Sequence, residues 1–140
     1  MSVRLILPGS REWQSTAWGW IDTIHNSLEQ NRSLRALFVK GGQSTEMHRH
    51  AQRDVTFVCD DGQVAVEYLL KTPHSALEHT TNFGAHVLSH GMAVHIPANT
   101  WHRIVGIEDA YLWASSGFCD DTDREVLENR EISMLRGEGE

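Results

Sequence analysis

From Ser33 onward, the chain alternates between short apolar segments and short polar turns. The segments are rich in Val, Ile, Leu and aromatic residues: LRALFVK, DVTFVC, QVAVEYLL, AHVLS, MAVHI, HRIVGI and AYLWASS. Turn residues such as GGQS, DDG, SHG and PAN separate them. Many short strands at close spacing are typical of an all-β sandwich or barrel. The pattern predicts this fold class and a hairpin turn at the DDG of residues 60–62.

The region before Ser33 has a different periodicity. Six apolar side chains recur at spacings of three and four, with one adjacent pair among them, which is the period of one helical face. They are Trp13, Ala17, Trp20, Ile21, Ile24 and Leu28. The spacing predicts an amphipathic helix over about residues 11–30, packed outside the β core or at a subunit interface. The polar, acidic tail over about residues 119–140 is expected to hold a short helix or an edge strand.

Length and charge narrow the class of protein. A chain of 140 residues fits a single domain. The net charge is −7, without a Lys/Arg cluster, so neither nucleic acid nor a membrane surface is the expected partner. No apolar run approaches the roughly 18 residues of a membrane span, and none resembles a secretory signal, so a cytoplasmic protein is expected. Cys59 and Cys119 match no zinc-site spacing and are expected to be reduced.

The stretch MHRHAQRDVTFVCDDG, residues 47–62, carries a group of candidate metal ligands. Alternate side chains of a strand share a face, so His48, His50 and Asp54 would lie on one wall of an uninterrupted strand. Two imidazoles and a carboxylate are a donor set that suits a divalent transition metal. The chain contains nine histidines. One of them, His102, lies at the start of another predicted strand and could add a third imidazole.

Two motifs in this region resemble those of the cupin superfamily. The first runs from Gly42 through five residues, His-x-His, three residues and Asp54 to Gly62. The second, G-MAVHI-P-A-N-TW-H, occupies residues 91–102. The pair of motifs, in this order, is a specific signal. The resemblance implies a small antiparallel jelly-roll barrel over about residues 33–118, with a metal inside.

The resemblance also assigns roles to single residues. It places His48, His50 and His102 at the histidine ligand positions and Asp54 at the position of a glutamate. Asp54 is one methylene shorter than glutamate, so it could bind the metal, act through a water, orient a histidine, or leave a three-histidine site. Tyr68 lies on the strand after the DDG turn, and its hydroxyl would orient a substrate if it faces the lumen, the alternative being an aromatic that fills the barrel.

Three functions remain open on this sequence. The favoured hypothesis is a metal-dependent enzyme that acts on a small oxygen-rich substrate as an isomerase, lyase or cyclase, with Asp54 or a lumen histidine moving the proton. The second is an iron-dependent dioxygenase, and the third is a non-catalytic protein that binds a sugar or another small molecule. One divalent ion of Fe, Mn, Zn or Ni is the expected cofactor. A homodimer is the expected assembly.

Overall fold

A computed structural model describes residues 3–70 and 83–127 of the chain. In these ranges the protein consists almost entirely of antiparallel strands. The strands are β1 (Glu12–Ser15), β2 (Gly19–Ser27), β3 (Arg32–Val39), β4 (Met47–His50), β5 (Val55–Asp61), β6 (Val64–Leu69), β7 (Phe83–Leu88), β8 (Ala93–Ile96), β9 (His102–Gly106), β10 (Ala110–Ser116) and β11 (Arg124–Leu127). Single turns of 3₁₀ helix lie at Pro8–Ser10 and Asp121–Asp123.

The strands form two sheets that face each other. The six-stranded sheet has the order β1-β2-β3-β10-β5-β8, and the five-stranded sheet has the order β11-β4-β9-β6-β7. Strands from distant parts of the chain are neighbours in both sheets, as in a jelly roll. The predicted all-β jelly-roll fold is therefore confirmed. No strand pair among the described residues joins the two sheets into a closed barrel.

The main core lies between the sheets. Every second side chain of the central strands is buried there, including Val39, Phe57, Val66, Ile104 and Leu112. Such alternation follows from the pleat of a strand that has one face on the core and one in water. A smaller, separate apolar cluster consists of Met47, Leu69 and Trp101. The inner face is therefore apolar over most of its area, which leaves its polar side chains conspicuous.

The predicted helix over residues 11–30 is wrong. The chain there forms β1 and β2, an antiparallel pair whose turn is closed by the bond from Thr16 N–H to the Gly19 carbonyl (2.9 Å). Gly19 packs so closely on β3 that a Cβ atom would overlap the carbonyl oxygen of Phe38. On the outer face, Trp20 stacks on Phe38 with ring centroids 5.8 Å apart. Packing against β3 thus favours a strand here, whereas the apolar spacing alone had suggested a helix.

The DDG turn joins two strands, as predicted, but it is not a hairpin. β5 belongs to the six-stranded sheet and β6 to the five-stranded sheet, so the chain crosses between the sheets at this point. Gly62 has a positive φ of 80°, and a Cβ atom there would overlap the Asp109 carbonyl oxygen. Only glycine combines that backbone conformation with such a close approach.

β11 lies at the edge of the five-stranded sheet, against β4, in agreement with the edge strand expected in the tail. The rest of the predicted tail, residues 128–140, lies outside the described residues. Within the described ranges, no helix is long and apolar enough to cross a membrane.

Asn99 offers a small test of the turn that precedes β9. Its φ is 66°, and its N–H donates to the carbonyl of His50 over 2.7 Å. Asn99→Ala should lower the free energy of unfolding by about 1 kcal/mol, because alanine adopts this left-handed conformation less readily. Asn99→Gly should retain the wild-type value. Urea unfolding measures both, and an alanine variant as stable as the glycine variant would contradict the strain argument.

Candidate functional site

A cavity of about 420 Å³ opens between the two sheets. Both sheets contribute to its walls: Leu37, Phe57 and Ala114 from one, and His48, His50, His102 and Ile104 from the other. Its charged lining residues are Arg35, Arg53, Arg124 and Glu46. Three guanidiniums against one carboxylate make the lining positive, although the chain as a whole carries −7. A volume of this size suits a small-molecule ligand.

His48 and His102 face each other across neighbouring strands. They are direct partners in the register of β4 and β9, with ring centroids 4.4 Å apart. The Nδ1 of His48 lies 2.8 Å from the Glu46 carbonyl oxygen, and that of His102 lies 2.8 Å from the Thr100 carbonyl oxygen. A carbonyl only accepts, so each Nδ1 carries the proton and donates it. Each Nε2 is thereby left as a lone-pair donor.

His50 completes the group but has two polar partners. Its ring centroid lies 5.1 Å from that of His48 and 6.4 Å from that of His102. Its Nδ1 lies 3.3 Å from Oδ1 of Asp123, a carboxylate that also accepts the N–H of Gln52. Arg53 donates to the Nε2 of His50 over 3.3 Å. The lone pair of His50 is therefore directed at a guanidinium, whereas Nε2 of His102 is buried without a hydrogen-bond partner.

All three imidazoles are held in the neutral form. Burial lowers the pKa of His102 from 6.5 to about 4. Burial, followed by the neighbouring His102, lowers the pKa of His48 well below its usual value. Burial, followed by the charge of Arg53, also lowers the pKa of His50, and the Asp123 carboxylate opposes that effect only in part. A neutral imidazole is the form that binds a metal ion.

The donor chemistry of this group fits a divalent transition metal. Three neutral imidazoles converge on one cavity, two with Nδ1–H fixed on backbone carbonyls and the third beside a carboxylate, an arrangement common around metal-binding histidines. In the described ranges, however, no group of three His, Cys, Asp or Glu side chains is arranged so that it could hold a metal ion. The guanidinium of Arg53 also contacts Nε2 of His50, the nitrogen that a metal would need.

Asp54 is not brought to the three histidines. The chain leaves β4 at His50 and enters β5 at Val55, and the intervening residues reverse the face that even-numbered side chains share. Asp54 instead pairs with Nε2 of His95 over 3.2 Å, and both side chains are more than half exposed. Val55, the next residue, is the one that lines the cavity. The shared face was expected only for a strand that continues without interruption, and the chain breaks between β4 and β5.

Tyr68 lies beside the histidines in register without lining the cavity. It is the partner of His102 in the pairing of β6 with β9. Its hydroxyl is bonded to Nε2 of His86 over 3.0 Å, and the two rings stack with centroids 5.5 Å apart. The hydroxyl is thus engaged away from the cavity walls. The two cysteines are both free, with Cys59 in the core and Cys119 at the cavity.

The fold of the chain resembles that of several solved structures at low sequence identity. KdgF from Halomonas sp. matches with a TM-score of 0.66 and 16% identity, over 86% of this chain and 98% of that one. A Streptomyces PAC13 variant with uridine matches with a TM-score of 0.69 and 12% identity, over 91% and 93% of the two chains. These proteins share one fold. The chain has the cupin fold.

Larger cupins match over part of their length. The capsular polysaccharide assembling protein CapF from Staphylococcus aureus has a TM-score of 0.66 and 16% identity. Oxalate decarboxylase from Bacillus subtilis has a TM-score of 0.68 and 12% identity. This chain spans 32% of the first and 31% of the second, about a third of each. No protein-family model and no curated protein matches the sequence.

Several residues around the cupin cavity had no signal in the sequence. Asp123 lies 73 positions after His50, and only the pairing of β11 with β4 brings it to that ring. Arg35 reaches the cavity from β3, and Arg53 from the link between β4 and β5. Glu46 was the most accessible to reasoning, because it precedes His48 by two positions on the same face.

Proposed function

We propose that the protein is a metal-dependent cupin enzyme that acts on a small oxygen-rich substrate by Lewis-acid and proton-transfer chemistry. The observation that carries the proposal is the convergence of His48, His50 and His102 on one cavity, all neutral and two with their Nδ1–H fixed. The neighbours in fold include a protein named for oxalate and one solved with uridine, both oxygen-rich compounds. Fold alone does not select a reaction, so the site carries the argument.

The three histidines are the residues that would hold the ion. Once bound, a divalent transition metal would polarise a carbonyl or carboxylate oxygen of the substrate and acidify a bound water. The backbone carbonyls of Glu46 and Thr100 fix the tautomers of His48 and His102, so their Nε2 lone pairs face the cavity without a change of protonation. His50 becomes available when the Arg53 guanidinium moves away from its Nε2.

Glu46 is assigned the proton-transfer role. It is the only carboxylate among the described residues that line the cavity. It precedes His48 by two positions and is held by Arg124 over 2.8 Å. A fixed carboxylate beside the reacting group can accept and return a proton, and one whose side chain is 60% exposed can exchange that proton with water. Asp54 has no such position, because its carboxylate pairs with His95.

The test is metal content followed by turnover. Protein purified without a histidine tag is treated with chelator, reloaded with Mn²⁺, Fe²⁺, Ni²⁺ or Zn²⁺, and measured by mass spectrometry. About one ion per chain, with isomerisation or elimination of hydroxy or keto acids and sugars, would support the proposal. Oxygen uptake that depends on iron would indicate the dioxygenase instead. Failure of every metal to bind would refute both enzyme functions.

Asp123→Asn tests the carboxylate beside His50. The variant should bind a divalent metal about tenfold more weakly, because an amide orients the imidazole less well and leaves it less basic. Competitive titration of Zn²⁺ against a chromophoric chelator measures the change. Asp120→Asn is the matched control, since Asp120 lies in the same turn and its Oδ1 accepts only the N–H of Thr122. Equal losses in the two variants would mean that the turn, and not the carboxylate, matters.

A further inference from the structure

Arg35 lines the cavity without a partner for its guanidinium. It projects from β3, where it is paired in register with Thr23 and Ala114. Among the described residues, neither a hydrogen bond nor an ion pair reaches its guanidinium, and its Nε is buried and unsatisfied. Arg35 as a whole is half-buried, and its Nε–H lies out of contact with water and has no acceptor. A charged group that loses part of its hydration without gaining an anion is unfavourable. The position therefore calls for a negative ligand.

The other two arginines of the cavity already have partners. Arg124 donates to a carboxylate oxygen of Glu46 over 2.8 Å. Arg53 donates to the Phe118 carbonyl oxygen over 3.3 Å and lies 4.0 Å from Asp123. Among the described arginines that line the cavity, Arg35 is thus the one that remains available to a ligand. It also belongs to the sheet opposite the histidines, so a ligand bound to both would span the cavity.

We propose that Arg35 binds a carboxylate group of the substrate, which makes the substrate class a small organic acid with a second oxygen group directed at the histidines. The planar fork of a guanidinium matches a carboxylate through two parallel N–H···O bonds. A carboxylate is preferred to a phosphate because a single free guanidinium supplies too few donors for three phosphate oxygens. This inference rests on the proposed function and specifies its substrate.

Binding of simple acids to the metal-free protein tests the inference separately from the metal. The probes are acetate, malonate and D-glycerate, with malonamide as the uncharged analogue of malonate, and affinity is measured by calorimetry. Wild-type protein should bind at least one acid, and malonate should bind better than malonamide. Arg35→Met should weaken the binding of the acid about tenfold or more, because it removes a charged hydrogen-bond donor from the carboxylate. The affinity of Arg35→Lys for the acid should lie between those of the wild type and Arg35→Met, because lysine keeps the charge but lacks the planar pair of N–H donors.

Arg49→Met is the matched control, because Arg49 lies on β4 with its guanidinium over Trp101 and on Glu125, outside the cavity. It should leave acid binding unchanged. Arg35→Met should bind Zn²⁺ as tightly as the wild type. If the wild-type protein binds no metal, the proposed function fails, whereas the Arg35 assignment is still tested by the binding of acids. The assignment is overturned if no acid binds the wild type, if Arg35→Met binds acids as tightly, or if inorganic phosphate outcompetes every carboxylate.

Discussion

Replacing His102 with alanine is expected to lower the affinity for a divalent transition metal by about 100-fold or more, because it removes a ligand and not merely a residue that orients one. His102 is the most buried of the three histidines, with 2% of its surface exposed, and its Nε2 is unsatisfied. Circular dichroism should show a retained β fold, since the ring borders the cavity and its removal leaves the apolar contacts between the two sheets in place. Zn²⁺ titration and metal content measure the effect.

Two nearby variants sharpen this result. Asp54→Asn should leave metal affinity unchanged, because the carboxylate pairs with His95 and does not line the cavity. His95→Ala should do the same. If Asp54→Asn instead weakened binding as much as His102→Ala, the chain between β4 and β5 would have to rearrange around the ion. If His102→Ala kept one ion per chain, the assignment of this cavity as the metal site would be wrong.

Acidification is expected to destabilise the metal-free protein through these same buried rings. The unfolded chain binds a proton on His102 near pH 6.5, whereas the folded protein binds it only near pH 4. The contribution of the neutral His102 ring to the free energy of unfolding is fully present above pH 6.5. It is lost as the pH falls towards 4. At about 1.4 kcal/mol per pH unit, the cost from His102 alone is about 3 kcal/mol. His48 and His50 act in the same direction.

Urea unfolding at several pH values between 7.5 and 4, in the presence of chelator, checks this dependence. His102→Gln is the matched variant, because glutamine keeps a polar side chain of comparable size without a titrating ring. Its free energy of unfolding should fall less steeply over the same range, whatever its value at neutral pH. Parallel pH profiles for wild type and variant would show that the His102 ring does not carry the effect.

The sequence predicted the core of the fold but misjudged its first two strands. Strands after Ser33 alternate clearly, because one face meets the core and the other meets water. β2 does not alternate, since its inner side lines the cavity and its outer side carries Trp20, so nearly all its residues are partly buried. Because the apolar residues of this segment do not alternate, their spacing of three and four was interpreted as a helix. Gly19 was the available warning, because a glycine inside a helix is unfavourable.

At the site, local reasoning reached the histidines and missed their partners. His48 and His50 follow from the alternation of one strand, and His102 from the resemblance of the second motif. Asp54 lies away from the histidines because side chains share a face only while a strand continues, and β4 ends at His50. Pairings between strands far apart in the chain bring Asp123 to His50 and place Arg35 in the wall of the cavity. No short motif records contacts of that range.

The contact of Arg53 with His50 has a consequence for any binding constant measured on this protein. The guanidinium would compete with a metal ion, because it contacts Nε2 of His50, the atom that the ion would need. The apparent dissociation constant then equals the intrinsic one divided by the fraction of molecules in which Arg53 has turned aside. Shortening the Arg53 side chain would therefore strengthen the binding of a metal ion, although the change adds no ligand.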